Sequence, residues 1–320
     1  MPHIASTYQG PPFYYLNRHF ETVIPSLRRK VEAVSYERER IDTPDDDFLD
    51  IDWIKNSHDR LLVISHGLEG SSDRHYVKGL AKLFSKNGWD IVAWNNRTCS
   101  GEMNRQRIMY HHGASYDLRT VIEHINKVAD YQRISLVGIS MGGGQTLRFL
   151  GEHEAHPLAP NIHSAVAISA PCSLPESAHT LTYRGNWMYE KKFLDRLKMK
   201  IRAKAEQFSD IDISGLDSIK TVRVFDERYS GPIHGFKGAD EFYEYCNPYP
   251  YVQKIETPVL VLNALNDPLL EGLCYPYELA QEKPHFYLET PKRGGHVGFI
   301  QAGNEFVYSE ERSLDFLSNI

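Results

Sequence analysis

The chain has 320 residues, of which 41% are hydrophobic, so it can bury the core of one large α/β domain with an insertion or of two small domains. Its 36 lysines and arginines against 42 aspartates and glutamates give a formal net charge of -6, and blocks of basic residues are missing. This charge pattern excludes a strong attraction to polyanions, and nucleic acid is not an expected partner.

The cysteines and the N-terminal segment indicate the cellular compartment that we expect for the protein. The four cysteines are far apart in sequence and form no C-x-x-C pair, which predicts neither a zinc site nor a disulfide framework. The first twenty residues lack a basic stretch followed by an apolar one, and no segment approaches the roughly 18 apolar residues of a membrane-spanning helix. We therefore expect a soluble, cytoplasmic protein without a bound metal.

The first extended segments lie near the N-terminus. "KVEAVSYERERI" and "DFLDIDWIK" flank the turn-rich "DTPDDD", which predicts an antiparallel hairpin at the edge of a sheet. Six short apolar segments rich in β-branched residues follow and predict buried strands. They span residues 60–67, 90–96, 133–140, 163–171, 258–265 and 285–290.

Helical patterns separate these strands. Residues 75–89 carry apolar residues at helical spacing and reach Gly88 as a stop signal, and residues 115–130 do so behind Ser115, an N-cap candidate. Strands alternating with helices predict an α/β fold with a mostly parallel sheet covered by helices on both faces. The hairpin and the six segments together make eight strands.

The alternation stops at residues 171–256. This stretch contains a basic amphipathic helix at 191–208 and then a passage rich in glycine, proline and tyrosine. We interpret it as a lid inserted into a core formed by residues 1–170 and 257–320. The apolar face of the helix could pack the lid onto the core or make a weak contact with an anionic membrane, and the sequence leaves both open. That face comprises Leu194, Leu197, Ile201, Ala205 and Phe208.

A serine stands where the third of the six strands ends. "GISMG", Gly138 to Gly142, matches the G-x-S-x-G pattern, with an apolar strand before it and a helix after it. Glycines on both sides suit a sharp strand-to-helix turn that projects Ser140 from the carboxyl end of the sheet. The pattern predicts a nucleophile, although a glycine-rich helix start with an ordinary serine would look the same.

A serine nucleophile needs a base, and the base needs an orienting acid. In this architecture the acid follows a late strand and the histidine lies in a loop after the last strand. Asp267 and His296 occupy these positions, so with Ser140 they are the predicted catalytic triad. Asp226 and Asp240, both in the insertion, remain as reserve acids.

An acyl-transfer site also needs donors for the oxyanion. The backbone N–H of Met141, directly after the serine, is the first candidate. The loop after residues 60–65 offers the second, because His66 and Gly67 permit a tight turn that presents the N–H of Leu68. The same turn would also occur without a catalytic purpose.

With these residues in place, the chain resembles the α/β hydrolases and, among them, the YheT-like, embryogenesis-associated hydrolases. The resemblance covers nearly the whole chain and includes "LNRHFETVIPSL" with His19 and Thr22, "RERIDTPDDDFLDIDW", "NNRTCSGEMNR", "VRVFDERYSGPIHGF", "DEFYEYCNPYPYVQKIETPVLVLNALNDP" and "RGGHVGF". Two residues depart from the family pattern. Thr98 stands where a glycine is usual, and Asn266 replaces the first acid of an Asp-Asp-Pro motif.

The resemblance implies an α/β-hydrolase fold and a cofactor-independent serine hydrolase of the carboxylesterase type, with a small-molecule ester as substrate and some relatives acting on phospholipids. By resemblance, Ser140, Asp267 and His296 match the family's triad. An acyltransferase or a thioesterase would use the same residues, and a catalytically silent binding scaffold is a third reading. No oligomeric state is predicted.

Overall fold

The computed structural model describes residues 3–320, and its central feature is a sheet of nine strands within that range. In chain order the strands are β1 (His3–Ile4), β2 (Glu37–Asp42), β3 (Phe48–Ile54), β4 (Arg60–Ser65), β5 (Asp90–Asn95), β6 (Arg133–Ile139), β7 (Ile162–Ile168), β8 (Val259–Leu262) and β9 (Phe286–Glu289). Their spatial order is β1-β9-β8-β7-β6-β4-β5-β3-β2. Only β3 runs antiparallel to its neighbours, β2 and β5.

The strand count differs from the eight that the sequence predicts. The additional strand is β1, in which His3 and Ile4 pair in parallel with Leu288 and Glu289 at the edge of the sheet. Two residues cannot display an alternating pattern, which is why this strand leaves no signal in the sequence. The mostly parallel α/β architecture itself is confirmed, including the edge hairpin of β2 and β3.

Twelve α-helices accompany the sheet in the described range. They are α1 (Arg18–Arg28), α2 (His75–Lys86), α3 (Ser115–Val128), α4 (Met141–Gly151), α5 (Leu174–Thr180), α6 (Trp187–Gln207), α7 (Val222–Phe225), α8 (Gly231–Ile233), α9 (Ala239–Cys246), α10 (Tyr249–Val252), α11 (Tyr277–Glu282) and α12 (Tyr308–Asn319). A five-residue π-helix, Asp226–Ser230, connects α7 to α8. None of the helices within residues 3–320 is long and apolar enough to cross a membrane.

The two faces of the sheet carry separate hydrophobic layers. Successive residues of β4 alternate between them: Leu61 and Val63 join the layer that contains residues of α3, α4, α10 and α11, whereas Leu62 and Ile64 join the layer of α2 and α12. All four side chains are fully buried. A strand buried on both faces must be apolar throughout, which explains why the central strands are continuous hydrophobic runs.

Of the two helix ends that the sequence predicts next to the sheet, one agrees with the structure and the other does not. Gly88 follows α2 in the left-handed conformation, with φ of 79°, and is a stop signal as predicted. Ser115 was predicted as the N-cap of α3, and this is wrong: it is the first helical residue, and Ala114 occupies the cap position. The Ser115 hydroxyl instead donates to Glu152 at 2.8 Å, so a tertiary contact outweighs the local cap.

Between β7 and β8 the described structure is helical, from α5 to α10. The basic amphipathic helix predicted at 191–208 is part of the longer α6. Its predicted apolar face packs into a cluster with Phe225 and with Met109, which lies before α3. In this face Leu194, Leu197 and Ile201 are buried, and Ala205 and Phe208 are partly buried.

A buried arginine joins the edge hairpin to the rest of the sheet. Arg97, just after β5, donates hydrogen bonds to Asp47 at 3.0 Å, to Asp117 at 2.8 Å and to Asp45 at 2.6 Å. Burial raises the pKa of Asp117 even though Arg97 opposes this shift. The next residue, Thr98, has φ of 68° and is in the left-handed conformation. Glycine adopts this conformation without strain, which explains why a glycine is usual at this position in the family.

We expect Arg97→Met to lower the free energy of unfolding by about 3–5 kcal/mol, because Asp117 and Asp47 would be left buried without their partner. Urea unfolding followed by circular dichroism measures the change. Arg223→Met is the control, since Arg223 pairs with Asp240 at the surface and should cost less than about 1 kcal/mol. Equal losses in the two variants would contradict the role of Arg97.

Candidate active site

Ser140 lies at a strained turn between β6 and α4. Its backbone has φ of 54° and ψ of -120°, a conformation that residues other than glycine rarely adopt. Backbone hydrogen bonds hold this conformation: the N–H of Ser140 donates to Ile168 at 2.8 Å, and the N–H groups of Gly143 and Gly144 donate to the carbonyl of Ser140. The turn is therefore the sharp elbow that the sequence pattern predicts.

The two flanking glycines are required by close backbone contacts. A Cβ at Gly138 would overlap the carbonyl of Gly142, and a Cβ at Gly142 would overlap the carbonyl of Ser65 at the end of β4. The first turn of α4 thus lies directly against the ends of β4 and β6. Any side chain at either position would push the helix away and displace Ser140.

The three predicted triad residues form one chain of hydrogen bonds. Ser140 Oγ lies 2.9 Å from His296 Nε2, and His296 Nδ1 lies 2.8 Å from Asp267 Oδ2. Asp267 is buried, and its second carboxylate oxygen accepts the N–H of Leu269 at 2.8 Å. Because the carboxylate accepts a hydrogen bond from Nδ1–H and so keeps the proton on that nitrogen, Nε2 is left free to accept the proton of the serine.

The loop that carries His296 is held by hydroxyl groups from two other elements. The N–H of His296 donates to Thr22 Oγ1 on α1 at 2.9 Å, and the N–H of Val297 donates to Ser169 Oγ after β7 at 3.0 Å. Thr22 Oγ1 in turn donates to the carbonyl of Arg18 at 2.7 Å. These contacts determine where the imidazole points.

A buried carboxylate on α1 supports the same loop. Glu21 accepts the N–H of Gly294 at 2.8 Å and the side-chain amide of Asn266 at 2.9 Å, while Asn266 Oδ1 accepts the N–H of Gly295 at 3.0 Å. An ionised aspartate at position 266 could not donate to Glu21. Asn266, one of the departures from the family pattern, thus connects the loop of the acid to the loop of the histidine.

Sequence reasoning from the residues missed Glu21 and Ser169, and it noted Thr22 only through the family resemblance. All three act on backbone N–H groups of the histidine loop. The segment "LNRHFETVIPSL", which resembles the family's N-terminal segment, is the available signal, but its partner lies more than 270 positions away in sequence.

Both predicted oxyanion donors are free. Within residues 3–320, neither the N–H of Met141 nor that of Leu68 donates to a protein acceptor. Met141 is the first residue of α4, where N–H groups have no partner inside the helix. A Cβ at Gly67 would lie 3.1 Å from the Cβ of Ser140, so the glycine allows the Leu68 loop to approach the serine closely.

His66 shapes this loop and makes no hydrogen bond to the triad. Its Nε2 accepts the N–H of Asn96 at 3.1 Å, so Nδ1 carries the proton and donates to the carbonyl of Gly67 at 2.7 Å. Complete burial lowers the pKa of His66 to about 4, which keeps the ring neutral and preserves this tautomer. His66 thus contacts the backbone of the loop that carries Leu68.

Two cavities meet at the candidate nucleophile. The larger has a volume of about 290 Å³ and lies between α1, the Leu68 loop and α6; the smaller has about 90 Å³ and is enclosed mainly by α5, α6 and α9. We call them the outer chamber and the inner chamber. Both are lined by Ser140 and His296, so a substrate bound at the serine can extend in two directions.

The reserve acids lie elsewhere. Asp226 is in the wall of the inner chamber, where it accepts from Ser230 Oγ at 2.6 Å and from the Tyr243 hydroxyl at 2.7 Å, and burial raises its pKa to about 6. Asp240 is exposed and pairs with Arg223 at 2.8 Å. Neither forms a hydrogen bond with His296, which leaves Asp267 as its carboxylate partner.

Among residues 3–320, no three histidine, cysteine, aspartate or glutamate side chains are grouped so that they could hold a metal ion. The candidate site itself brings together a hydroxyl, an imidazole and a carboxylate group. A serine hydroxyl hydrogen-bonded to a histidine that a buried carboxylate orients is suited to nucleophilic attack on a carbonyl carbon.

We expect Thr22→Val to slow the reaction of Ser140 with a fluorophosphonate by about tenfold, because the N–H of His296 loses its acceptor and the imidazole is less well oriented. Labelling rates followed by intact-protein mass spectrometry measure the effect. Thr120→Val is the matched control, since Thr120 makes the same hydroxyl bond to the carbonyl four residues earlier but lies on α3. A labelling rate equal to that of the control would contradict the role of Thr22.

Comparisons with known proteins identify the family of the chain. Residues 60–302 match the α/β hydrolase fold family. The chain is 31% identical over 294 residues to the putative esterase YheT of Escherichia coli K12, covering 89% of this chain and 85% of the relative, and 26% identical over 311 residues to phospholipase ABHD3 of Bos taurus, covering 94% and 75%.

A solved esterase, Pf2001 of Pyrococcus furiosus, has the same fold. It superposes with a TM-score of 0.62 at 21% identity over 99% of this chain and 98% of its own. The family resemblance inferred from the sequence motifs is confirmed. The chain belongs to the α/β hydrolase family and, within it, to the YheT-like branch.

Proposed function

We propose that this protein is a serine hydrolase that cleaves carboxylic esters through an acyl-enzyme intermediate. The observation that carries the proposal is the continuous hydrogen-bonded chain from Asp267 through His296 to Ser140, at the junction of two cavities. The names of relatives, an esterase and a phospholipase, support ester cleavage as the reaction class.

In the acylation step, His296 Nε2 removes the proton from Ser140 Oγ as the oxygen attacks the ester carbonyl carbon. The carbonyl π bond opens, and its oxygen becomes an oxyanion that accepts hydrogen bonds from the free N–H groups of Met141 and Leu68. The N-terminal end of α4 adds a favourable dipole at the same place. The imidazolium then protonates the leaving alcohol as the C–O bond breaks.

In the deacylation step, His296 removes a proton from water, which attacks the acyl-enzyme. The second tetrahedral intermediate collapses, Ser140 Oγ regains the proton, and the carboxylic acid departs. Asp267 keeps the proton on Nδ1 throughout and stabilises the imidazolium. No step requires a cofactor.

We further propose that residues 171–256 form a lid over a core of residues 1–170 and 257–320. Helices α5, α6 and α9 of this segment contribute walls to the chambers at Ser140, which supports the assignment. The proposal extends to a reducing compartment such as the cytoplasm, in keeping with four cysteines that are all free thiols.

Ser140→Ala tests the proposal directly. We expect the variant to stay folded, to lose fluorophosphonate labelling and to lose ester turnover by about 10⁴-fold or more, because no acyl-enzyme can form. Ser177→Ala, in the wall of the inner chamber, is the control and should keep the label. Substantial turnover by Ser140→Ala would contradict the mechanism, and products formed with added alcohols would indicate acyl transfer instead of hydrolysis.

We propose that the inner chamber holds the acyl group, and acyl chain length tests this assignment. Six leucines together with Phe193 and Phe242 supply much of the apolar wall of this chamber, and its volume of about 90 Å³ accommodates a short or medium chain. With p-nitrophenyl esters from acetate to palmitate, we expect kcat/KM to peak at short to medium chains and to fall toward palmitate. A maximum at palmitate would show that the acyl group lies elsewhere.

A further inference from the structure

The outer chamber has three cationic side chains in its wall. Arg74 lies just before α2, and Lys192 and Arg196 lie one turn apart on α6. Within residues 3–320, none of the three forms an ion pair with a carboxylate. The chamber that contains the candidate nucleophile therefore carries positive charge that the protein itself does not neutralise.

The neighbouring carboxylates are already paired with other cations. Asp73 pairs with Lys78 at 2.8 Å, and Asp195 pairs with Lys191 at 2.7 Å. Glu69, whose side chain is the acidic group in the chamber wall, pairs with Lys200 at 2.9 Å. Each of these pairs is internally balanced, so the positive charge of the chamber remains in excess.

Each of the two guanidinium groups is fixed by a hydrogen bond to the backbone and still has free N–H donors. Arg74 Nη2 and Arg196 Nη1 each donate to the same backbone carbonyl, that of Glu69, at 2.8 Å. A guanidinium has five N–H donors, so each keeps several donors for a ligand. Lys192 Nζ makes no hydrogen bond to a protein group in the described range, and Lys192 is exposed to solvent at the wall of the chamber.

The three cations also act on one another. Burial, Arg196 and Arg74 lower the pKa of Lys192. Burial, Arg29, Arg74 and Lys192 lower the pKa of His75 to about 4, so this second imidazole in the chamber wall is neutral. Holding like charges close together is unfavourable unless an anion binds between them.

The inner chamber has the opposite character. The acidic residue in its wall is Asp226, and two histidines of the same wall, His111 and His112, have pKa values lowered by burial. An anionic group would be repelled or left without a partner there. The walls of the two chambers therefore differ in charge: the outer wall carries three cationic side chains, and the inner wall does not.

We propose that Arg74, Lys192 and Arg196 form a subsite for an anionic group, a phosphate or a carboxylate, on the alcohol part of the ester substrate. This inference rests on the proposed function and adds a substrate class to it. The cations bind the anion through charge-assisted hydrogen bonds, which orient the ester so that its carbonyl lies at Ser140.

Three butyryl esters that differ only in charge test the subsite: 1-butyrylglycerol, 3-butyrylglycerate and 1-butyrylglycerol 3-phosphate. We expect kcat/KM for the wild type to be about tenfold higher or more for at least one anionic ester than for the neutral ester. Comparison of kcat/KM between 3-butyrylglycerate and 1-butyrylglycerol 3-phosphate shows whether the site prefers a carboxylate or a phosphate. The preference should shrink between about 0.01 and 1 M salt, because the Debye length falls from about 30 to about 3 Å.

Lys192→Gln should lower the ratio of anionic to neutral kcat/KM by about tenfold, since it removes one charge-assisted bond. Lys191→Gln is the matched control: it removes the same charge from the adjacent residue, which pairs with Asp195 outside the outer chamber, and should leave the ratio unchanged. Thermal melting of both variants checks that they are folded.

The outcomes separate the two proposals. Ser140-dependent hydrolysis of all three esters with a ratio near one would overturn the anionic subsite and leave the proposed function intact. If none of the three is hydrolysed, glycerol 3-phosphate should still slow fluorophosphonate labelling of Ser140 in the wild type more than in Lys192→Gln, and equal slowing would overturn the subsite. Absence of labelling altogether would overturn both proposals.

Discussion

The close contact of α4 with the ends of β4 and β6 is the constraint on which the site depends. With no Cβ at Gly138 or Gly142, the first turn of the helix reaches the carbonyl of Ser65. The chain must then reverse within one residue, and Ser140 takes a φ of 54°. The packing of a sheet that is buried on both faces offsets the cost of this strained conformation. The turn directs the hydroxyl of Ser140 out of the sheet at the place where β4 separates β5 from β6.

The N-terminal helix α1 supplies the second requirement, a stable histidine loop. Loops are the least rigid part of an α/β fold, yet a general base must lie within hydrogen-bond distance of its nucleophile. Glu21 and Thr22 solve this by accepting backbone N–H groups from Gly294 and His296. A segment outside the matched family region, residues 60–302, thus positions a residue inside it.

The buried strands and the three candidate triad residues that follow them could be predicted from the sequence, because apolar strands and the elbow are local patterns. Ser140, Asp267 and His296 each follow a recognisable apolar strand, and the structure brings them within hydrogen-bond distance. The two-residue strand β1 and the tertiary partner of Ser115 were not predictable, because neither has a periodic local signal.

Contacts between residues that lie far apart in sequence could not be predicted either. Glu21 is an acidic residue in the first turn of an amphipathic helix, a position that ordinarily indicates nothing more than a favourable helix dipole. Its burial and its bonds to Gly294 and Asn266 depend on the placement of two loops that lie 273 and 245 residues away in sequence. Composition and periodicity carry no information about such pairs.

Helix α6 explains how one elbow serves two chambers of different character. Leu194, Leu197 and Ile201 face the buried cluster of the insertion, whereas Lys192 and Arg196, at i and i+4, lie in the wall of the outer chamber. The pattern that indicated an amphipathic helix therefore has two uses. Its apolar face packs the insertion together, and part of its basic face contributes charge beside the nucleophile, where solvent screening is weaker than at the open surface.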